Sequence, residues 1–303
     1  MTSPFHPGEL QLQNESGVTE RMHKIGNIVL RNHIIDQHRT FFEALPYVFV
    51  SAMDDQNRPW ASIIQSDAQL MSVTQDDVLE IAGKPLGCDA MNLQLGSGDS
   101  VGVLGLDLTN RRRNRLNGTL LATDSDALAV KVHHSFGNCP KYIQIREQVA
   151  DPASSVSPTV TRLTTLDTET CNLICSADTF FIASTEGAEK GIPMDMSHRG
   201  GKPGFVSVSK YDTLVWQDYP GNNLYQTFGN LVNYPECGLL FIDFEQGDLV
   251  HLVGKATVTR VGERESFVER QVSFEFYEGL RIRNALTSHW RMVEQSPYLP
   301  DET

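Results

Sequence analysis

Hydrophobic and polar positions divide the chain into a short helical start and a longer part rich in strands. Apolar residues within 18–45 follow a helical spacing that breaks near Asn32, and 160–176 has a helical spacing as well. Alternation at 252–259 and 271–276 predicts half-buried strands. Because no strand-helix-strand rhythm appears, we expect a mainly β protein, with antiparallel sheets closed into barrels and flanked by helices.

The predicted strands repeat along the chain. Four pairs of segments match in the same order: 46–52 with 178–184, 58–62 with 202–207, 101–108 with 237–244, and 115–122 with 251–258. The last two pairs share one offset of 136 residues. Hairpin turns are predicted at 54–59, at Asn117-Gly118 and at 245–248. This order predicts two copies of one β-rich unit.

A small, polar segment with proline at both ends, 152–158, has the composition of a linker. It divides the chain into residues 1–151, with the N-terminal helices and the first copy, and residues 159–303, with the second copy. Each part is long enough to bury a core without disulfides.

Charge and cysteine content restrict the partners. The net charge of −13 disfavours nucleic acid, and no apolar run reaches the roughly 20 residues that cross a membrane. Five scattered cysteines and no recognisable signal segment favour the cytoplasm. Cys171 and Cys175 are spaced by one helical turn but lack a second metal-binding pair, so we assign them to helix packing and expect no metal.

The segment 197–208 combines polar, charged and glycine residues. Ser197, Arg199 and Lys202 could bind an anion, since the glycines between them let a ligand approach the backbone. The alternative is a solvated, glycine-rich hairpin. His198 is the titratable group nearby that could act as an acid or base, and it is our candidate catalytic residue.

A second polar segment, DYPGNNLYQTFGNL at 218–231, follows closely. Its amides and hydroxyl could contact a heterocycle or a phosphate, and the candidates are Asn222, Asn223, Thr227 and Asn230. Asn222 and Asn223 could instead cap the following helix. Both roles are compatible, because a helix N-terminus also attracts anions.

Four arginines lie between two repeated strands, at Arg111, Arg112, Arg113 and Arg115. On a strand, alternate side chains point to opposite faces, so two or three of these arginines could converge on one ligand. The alternative is a solvated loop with surface ion pairs. We expect Arg113 and Arg115 to be the contribution of the first copy to a shared anion site.

The chain contains, in this order, FFEALPYVFVSAMDDQNRPWAS, LGLDLTNRRRNRLNGTL, FGNCPKYIQIR, DTFFIAS, SHRGGKPGFV, DYPGNNLYQTFGNL and GLLFIDFEQGDLVHLVGKA. Together these segments, which span roughly 36–290, resemble the pyridoxamine 5′-phosphate oxidase-related family of flavin-nucleotide-binding proteins. The resemblance implies a split β-barrel of antiparallel Greek-key type, FMN as cofactor, and dimers with the flavin at the interface. With the internal repeat, it predicts a tandem pair of FMN-binding split barrels in one chain.

The resemblance also implies where the flavin binds. The PGNN segment would hold the phosphate, with charge from Arg199 and Lys202. The first copy would add Arg113, Arg115 and Lys141. One FMN site per chain is expected, because 84–96 lacks the polar residues of the second copy. The usual Ser-Arg-Lys of true pyridoxamine phosphate oxidases is absent, which puts vitamin B6 oxidation in doubt.

These features predict an FMN-dependent oxidoreductase that exchanges hydride or electrons with a small-molecule substrate. NAD(P)H or a reductase would be its partner, and it would be a homodimer or a pseudo-dimer within one chain. Two alternatives stay open. One is a flavin-binding or storage module without turnover, and the other is a barrel that binds heme or a deazaflavin.

Overall fold

The computed structural model describes residues 3–122, 127–149, 156–209, 212–264 and 267–300 and shows a mainly β protein. The helices are α1 (Pro7–Glu15), α2 (Thr19–Val29), α3 (Asp36–Glu43), α4 (Cys88–Met91), α5 (Thr168–Ser176) and α6 (Gln226–Asn233). The strands before residue 150 are β1 (Tyr47–Met53), β2 (Pro59–Gln65), β3 (Met71–Gln75), β4 (Val78–Ile81), β5 (Ser100–Asp107), β6 (Arg112–Leu120), β7 (Leu128–Gly137) and β8 (Ile145–Val149). The later strands are β9 (Thr159–Leu163), β10 (Thr179–Thr185), β11 (Met194–Gly200), β12 (Val206–Val208), β13 (Thr213–Gln217), β14 (Glu236–Asp243), β15 (Asp248–Arg264), β16 (Phe267–Arg283) and β17 (His289–Glu294).

Two antiparallel sheets share one strand order. The first sheet runs β2-β1-β5-β6-β7-β4-β3, and the second runs β11-β10-β14-β15-β16-β13-β12. Each strand of the first sheet therefore has a counterpart at the same place in the second. The antiparallel, mainly β prediction is confirmed.

The predicted closure into barrels is wrong for the described residues. The first and last strands of each order, β2 with β3 and β11 with β12, do not pair. Each sheet instead buries one face on a hydrophobic core of its own. A third core lies between the sheets, and at its centre the rings of Phe49 and Phe181 stack with centroids 3.7 Å apart.

Two glycines of the repeat hold the sheets together in equivalent ways. Gly102 on β5 lies against β11, where a Cβ would come within 2.8 Å of the Met196 nitrogen. Gly238 on β14 lies against β2, where a Cβ would come within 2.4 Å of the Pro59 carbonyl oxygen. A side chain at either position would push the sheets apart, which explains why both positions are glycine.

The predicted turn at Asn117-Gly118 is wrong, because both residues lie inside β6. The register shifts between them, as it does between Val253 and Gly254 on the counterpart strand β15. At each bulge a Cβ on the glycine would come within about 2.2 Å of a carbonyl oxygen of the neighbouring strand. The Asn-Gly pair therefore serves a bulge rather than a hairpin.

The predicted match of 58–62 with 202–207 is also wrong. Phe49 pairs with Ile63 across β1 and β2, and Phe181 pairs with His198 across β10 and β11. The strand β2 therefore corresponds to Met194–Gly200, which begins only after a longer connection. The segment 202–207 forms a turn and the start of β12.

Helix predictions need two corrections. The segment 160–176 begins as β9, which pairs with β16, and its helix α5 starts only where the Asp167 carboxylate accepts a hydrogen bond from the Thr170 backbone N–H. Cys175 on α5 is exposed rather than buried. The break near Asn32 lies between α2 and α3, whereas α1 was not predicted because its sequence has little apolar periodicity.

Some elements cross between the two halves. The strand β8 pairs with β17, and Gly8 on α1 packs closely against Gly229 on α6. The predicted linker 152–158 lies mostly outside the described residues, so the domain division stays a prediction. In the described part of the chain, no helix is long and apolar enough to cross a membrane.

Candidate functional site

A cleft lies where β6 of the first sheet meets β11 of the second. Its walls also include the segment 138–142 and the segment from Trp216 to Phe228 that leads into α6. Its empty volume of about 890 Å³ includes open solvent. The predicted site residues that line it are Arg113, Arg115, Lys141, Ser197, His198, Arg199, Asn222, Asn223 and Thr227.

The strand β6 separates its arginines by alternation. Arg113 and Arg115 line the cleft. Arg112 is exposed on the other face, with its guanidinium 5.1 Å from the centre of the Phe41 ring. Arg111 binds the Glu294 carboxylate at 2.8 Å. The strand geometry thus selects two of the four arginines for the cleft.

The strand β11 supplies the opposite wall. Ser197 and His198 are buried, and Arg199 is partly exposed towards the cleft. The Arg199 guanidinium lies 4.5 Å from the centre of the Phe228 ring and 3.6 Å from the Asp218 carboxylate. These residues are strand residues with fixed neighbours on β10, not parts of a solvated hairpin.

Carboxylates only partly balance the arginines. Arg115 forms a buried ion pair with Asp195, and Arg199 faces Asp218. Among the described residues, no carboxylate lies within ion-pair distance of Arg113, whose Nη1 instead lies 3.5 Å from His198 Nδ1. In the described part of the chain, these three guanidinium groups form ion pairs with only two carboxylates, so the cleft carries an excess of positive charge.

Burial and the close approach of the arginines shift the pKa values of several groups in the cleft. Burial, together with repulsion from Arg199, lowers the pKa of Arg113 to about 10. Burial and the neighbouring arginines also lower the pKa values of Arg115 and His198, so the His198 imidazole is neutral. Burial raises the pKa of Asp218 to about 6. An anion bound here would relieve the repulsion among the cations.

Several buried polar atoms around the cleft have no hydrogen-bond partner in the structure. Buried donors and acceptors in folded proteins are nearly always paired, so such a group needs an explanation. These atoms include Nε of Arg113, Nε of Arg115, Nε of Arg199, Nε2 of His198, Nε1 of Trp216 and the acceptor Oε1 of Gln226. Four of these are N–H donors, which fits a ligand with several acceptor oxygens.

Aromatic and amide groups form the rim. The rings of Tyr142 and Tyr219 lie 5.1 Å apart, and the Tyr142 hydroxyl donates to the Pro220 carbonyl at 2.9 Å. The Asn222 amide nitrogen donates to Asn138 Oδ1 at 2.5 Å. This contact joins the loop before α6 to the segment that follows β7.

The alternative role of Asn222 and Asn223 as helix caps is wrong. The residue that precedes α6 is Tyr225, which has a left-handed backbone and no side-chain cap. Asn222 accepts from the Leu224 backbone N–H at 3.1 Å, and Asn223 is itself left-handed with φ of 61°. Both asparagines therefore shape the loop ahead of the helix.

Two predicted residues lie outside the cleft. Lys202 is in the turn after β11 and does not line the cleft. Asn230 is on α6 and donates to the Ser184 hydroxyl at 3.0 Å, where it lines a separate cavity with His6 and Glu9.

Thr227 and Lys141 both line the cleft. The Thr227 hydroxyl donates to the Asp195 carboxylate at 3.4 Å, and the Lys141 ammonium lies 5.7 Å from the centre of the Tyr298 ring.

Sequence reasoning missed several residues of the site. Asp195, which lines the neighbouring cavity, and Asp218, which lines the cleft, balance the arginines. Trp216 and Cys139 add further polar groups to the cleft lining. Asp195 gave no signal, because its partner Arg115 lies on a strand that is distant in the sequence. Asp218 begins the polar segment that was already recognised, so a buried cation nearby could have indicated its role.

No family model matches the chain, and no curated protein matches it significantly. Among solved structures, HupZ from Group A Streptococcus is 12% identical to this chain. The match covers 39% of this chain and 99% of the HupZ chain, with a TM-score of 0.30. The FAD binding protein from Mycobacterium smegmatis is 18% identical, with coverages of 41% and 98% and a TM-score of 0.26. A putative pyridoxamine 5′-phosphate oxidase from Corynebacterium glutamicum is 14% identical, with coverages of 46% and 99% and a TM-score of 0.27. Similarities at this level assign neither a family nor a function.

Proposed function

We propose that this protein is a flavoprotein that binds one FMN in the cleft, with the phosphate among Arg113, Arg115 and Arg199. The observation that carries the proposal is the excess of buried positive charge, combined with guanidinium N–H groups that lack partners. A phosphate supplies two negative charges and several acceptor oxygens, and arginine binds it with directed hydrogen bonds.

The residues present fit such a ligand. Arg113, which has no carboxylate partner among the described residues, would bind the phosphate most directly. Ser197 and Asn223 would add neutral contacts, and Tyr142 with Tyr219 would cover an aromatic ring. When bound, the flavin supplies hydride-transfer chemistry, while the chain orients it and excludes water.

For the activity, we propose an oxidoreductase that acts on a small molecule, with NAD(P)H or a reductase as electron donor. Neutral His198 is the candidate acid or base, because it lines the cleft and its buried Nε2 has no partner. Vitamin B6 oxidation is not part of the proposal. A storage module would bind FMN equally well but would not turn over, so anaerobic reduction by NADH or NADPH separates the two functions.

A second candidate is a heme site, favoured by one observation. Nε2 of the His198 imidazole has no partner and could bind a heme iron. The three arginines beside it could bind the two heme propionates. The visible spectrum of the purified protein distinguishes the candidates. Flavin bands support FMN, whereas a Soret band supports heme.

We also infer that the two halves arose by duplication and pack within one chain as two subunits of a dimer would. The shared strand order, the paired bulges and the equivalent glycines support this inference. The flavin would then lie between the halves, and no second chain would be needed to complete its site.

Titration of the protein with FMN, followed by flavin fluorescence, tests the proposed site. Arg113→Ala and Arg199→Ala should each weaken binding roughly 10- to 100-fold, because a charge-assisted hydrogen bond is worth about 1.5–3 kcal/mol. Arg112→Ala is the matched control, since it removes the same charge from the other face of β6. Equal affinities for all three variants would overturn the assignment.

A further inference from the structure

Cys139 differs from the other cysteines in its surroundings. It lines the arginine cleft and is partly exposed, immediately after Asn138, whose backbone N–H donates to the Arg113 carbonyl at 3.3 Å. Cys175 is exposed on α5, and Cys237 is buried in the core of the second sheet. Cys139 is therefore the thiol that a ligand of the cleft would meet.

The cleft selects what reaches this thiol. Arg113, Arg115 and Arg199 raise the local concentration of anions, as clefts lined by one sign of charge do. The buried, unpartnered nitrogens of Arg115 and His198 in the same cleft independently indicate a ligand with acceptor oxygens. A reagent that carries carboxylates would thus be held beside Cys139, whereas a cationic reagent would be repelled.

We propose that Cys139 is a site of S-thiolation by anionic disulfides, of which glutathione disulfide is the example, and that the adduct blocks the cleft. The proposal rests on the anion-binding role of the cleft proposed above. In the reaction, the deprotonated sulfur of Cys139 attacks one sulfur of the disulfide. A new S–S bond forms, the old one breaks, and one glutathione leaves with the electron pair and takes up the proton.

The experiment compares two disulfides of opposite charge on the full-length protein. Glutathione disulfide is anionic and cystamine is cationic, and peptide mass spectrometry measures the rate at each cysteine. The ratio of the glutathione disulfide rate to the cystamine rate should be at least about tenfold higher at Cys139 than at exposed Cys175. Equal ratios at the two cysteines would overturn the proposal.

Two variants make the assignment specific. In Cys139→Ser the adduct on this peptide should be lost. In Arg113→Ala the ratio at Cys139 should fall towards that of Cys175, because this removes a cation that interacts electrostatically with Cys139. An unchanged ratio in Arg113→Ala would contradict electrostatic selection, even if Cys139 itself reacts.

The readouts separate this proposal from the FMN proposal. FMN affinity is measured on the unmodified protein and on protein modified at Cys139. If FMN binds normally but Cys139 shows no preference for the anionic disulfide, the S-thiolation proposal fails alone. If Cys139 shows the preference but neither FMN nor inorganic phosphate slows its reaction, the anion-ligand assignment fails.

Discussion

The two junctions between the sheets have the same backbone plan and opposite chemistry. At the arginine junction, where β6 meets β11, Arg115 pairs with Leu104 across β5 and β6. At the apolar junction, where β15 meets β2, the equivalent position is His251, which pairs with Leu240. On the edge strands, three polar or charged residues of β11 have apolar counterparts on β2: Trp60 for Asp195, Ile63 for His198 and Ile64 for Arg199.

The apolar junction pairs most of its polar groups with its own residues, and His251 Nε2 is the buried atom that stays without a partner among the residues that the structure describes. The Trp60 indole donates to Asp54 at 2.9 Å, and His251 Nδ1 lies 2.9 Å from the Ala61 carbonyl oxygen. Ile63 packs in the core between the sheets, and Leu86 packs against the same core. The comparison teaches that the same framework buries apolar side chains at one junction and an excess of positive charge at the other, where we propose that a ligand binds.

The largest expected effect comes from breaking the buried ion pair of the arginine junction. Asp195→Ala leaves Arg115 buried without a counter-charge and should lower the free energy of unfolding by about 3–5 kcal/mol. Trp60→Ala at the equivalent position should cost a similar amount, about 3–5 kcal/mol, by creating a cavity. Urea unfolding measures both changes.

A double variant distinguishes the two causes. Arg115→Met with Asp195→Leu removes both charges, so stability should largely return while FMN affinity stays low. Trp60→Ala should keep wild-type FMN affinity under conditions where it is folded. If Asp195→Ala is as stable as the wild type, Arg115 is not held by this charge, and the contrast between the junctions is lost.

Substitution of the paired glycines tests whether the two junctions share one plan. Gly102→Ala and Gly238→Ala each place a methyl group against the backbone of the opposite sheet. The methyl carbon would lie 2.8 Å from the Met196 nitrogen in the first variant and 2.4 Å from the Pro59 carbonyl oxygen in the second. Each should lower the free energy of unfolding by about 1–3 kcal/mol, and by similar amounts. Gly17→Ala is unsuitable as a control because of its positive φ, whereas Gly221→Ala meets no atom closer than 3.9 Å. A large loss for one junction alone would show that the junctions are not equivalent.

The pH dependence of stability should have opposite signs at the two junctions. Burial raises the pKa of Glu9, which faces Arg115, from 4.5 to about 8, so the folded state binds the extra proton and stability falls as the pH rises through this window. Burial lowers the pKa of His251 from 6.5 to about 4, so stability falls as the pH drops through that window. Glu9→Gln should flatten the first decline and His251→Gln the second, as measured by urea unfolding at several pH values. Either variant with an unchanged pH profile would contradict the corresponding assignment.

The strands were predictable because their signals are local. Alternation at 271–276 and the repeat of 101–108 at 237–244 correspond to strands of the structure. Barrel closure, the pairing of β8 with β17 and the docking of α1 were not predictable, because each depends on contacts between distant segments. The bulge at Gly118 was mistaken for a turn, since the Asn-Gly pair suits both.

The arginines of the site could be predicted from the sequence, because clustered positive charges are unusual in an acidic chain. Arg113, Arg115 and Arg199 were selected by residue type and strand alternation, and the structure places all three along one cleft. Asp195 and Trp216 could not be found in this way, because single acidic and aromatic residues are common, and Asp218 was recognised only as the start of the polar segment 218–231. Their roles depend on the packing of the second sheet against the first.

The central claim is that the arginine junction alone binds FMN, and calorimetric titration of the wild-type protein with FMN and with riboflavin tests it most directly. The account predicts one FMN per chain and riboflavin binding weaker by at least about tenfold, because the phosphate contacts the arginines with charge-assisted hydrogen bonds of about 1.5–3 kcal/mol. Two FMN per chain would contradict the contrast between the junctions. Equal affinity for riboflavin and FMN would contradict the phosphate site itself.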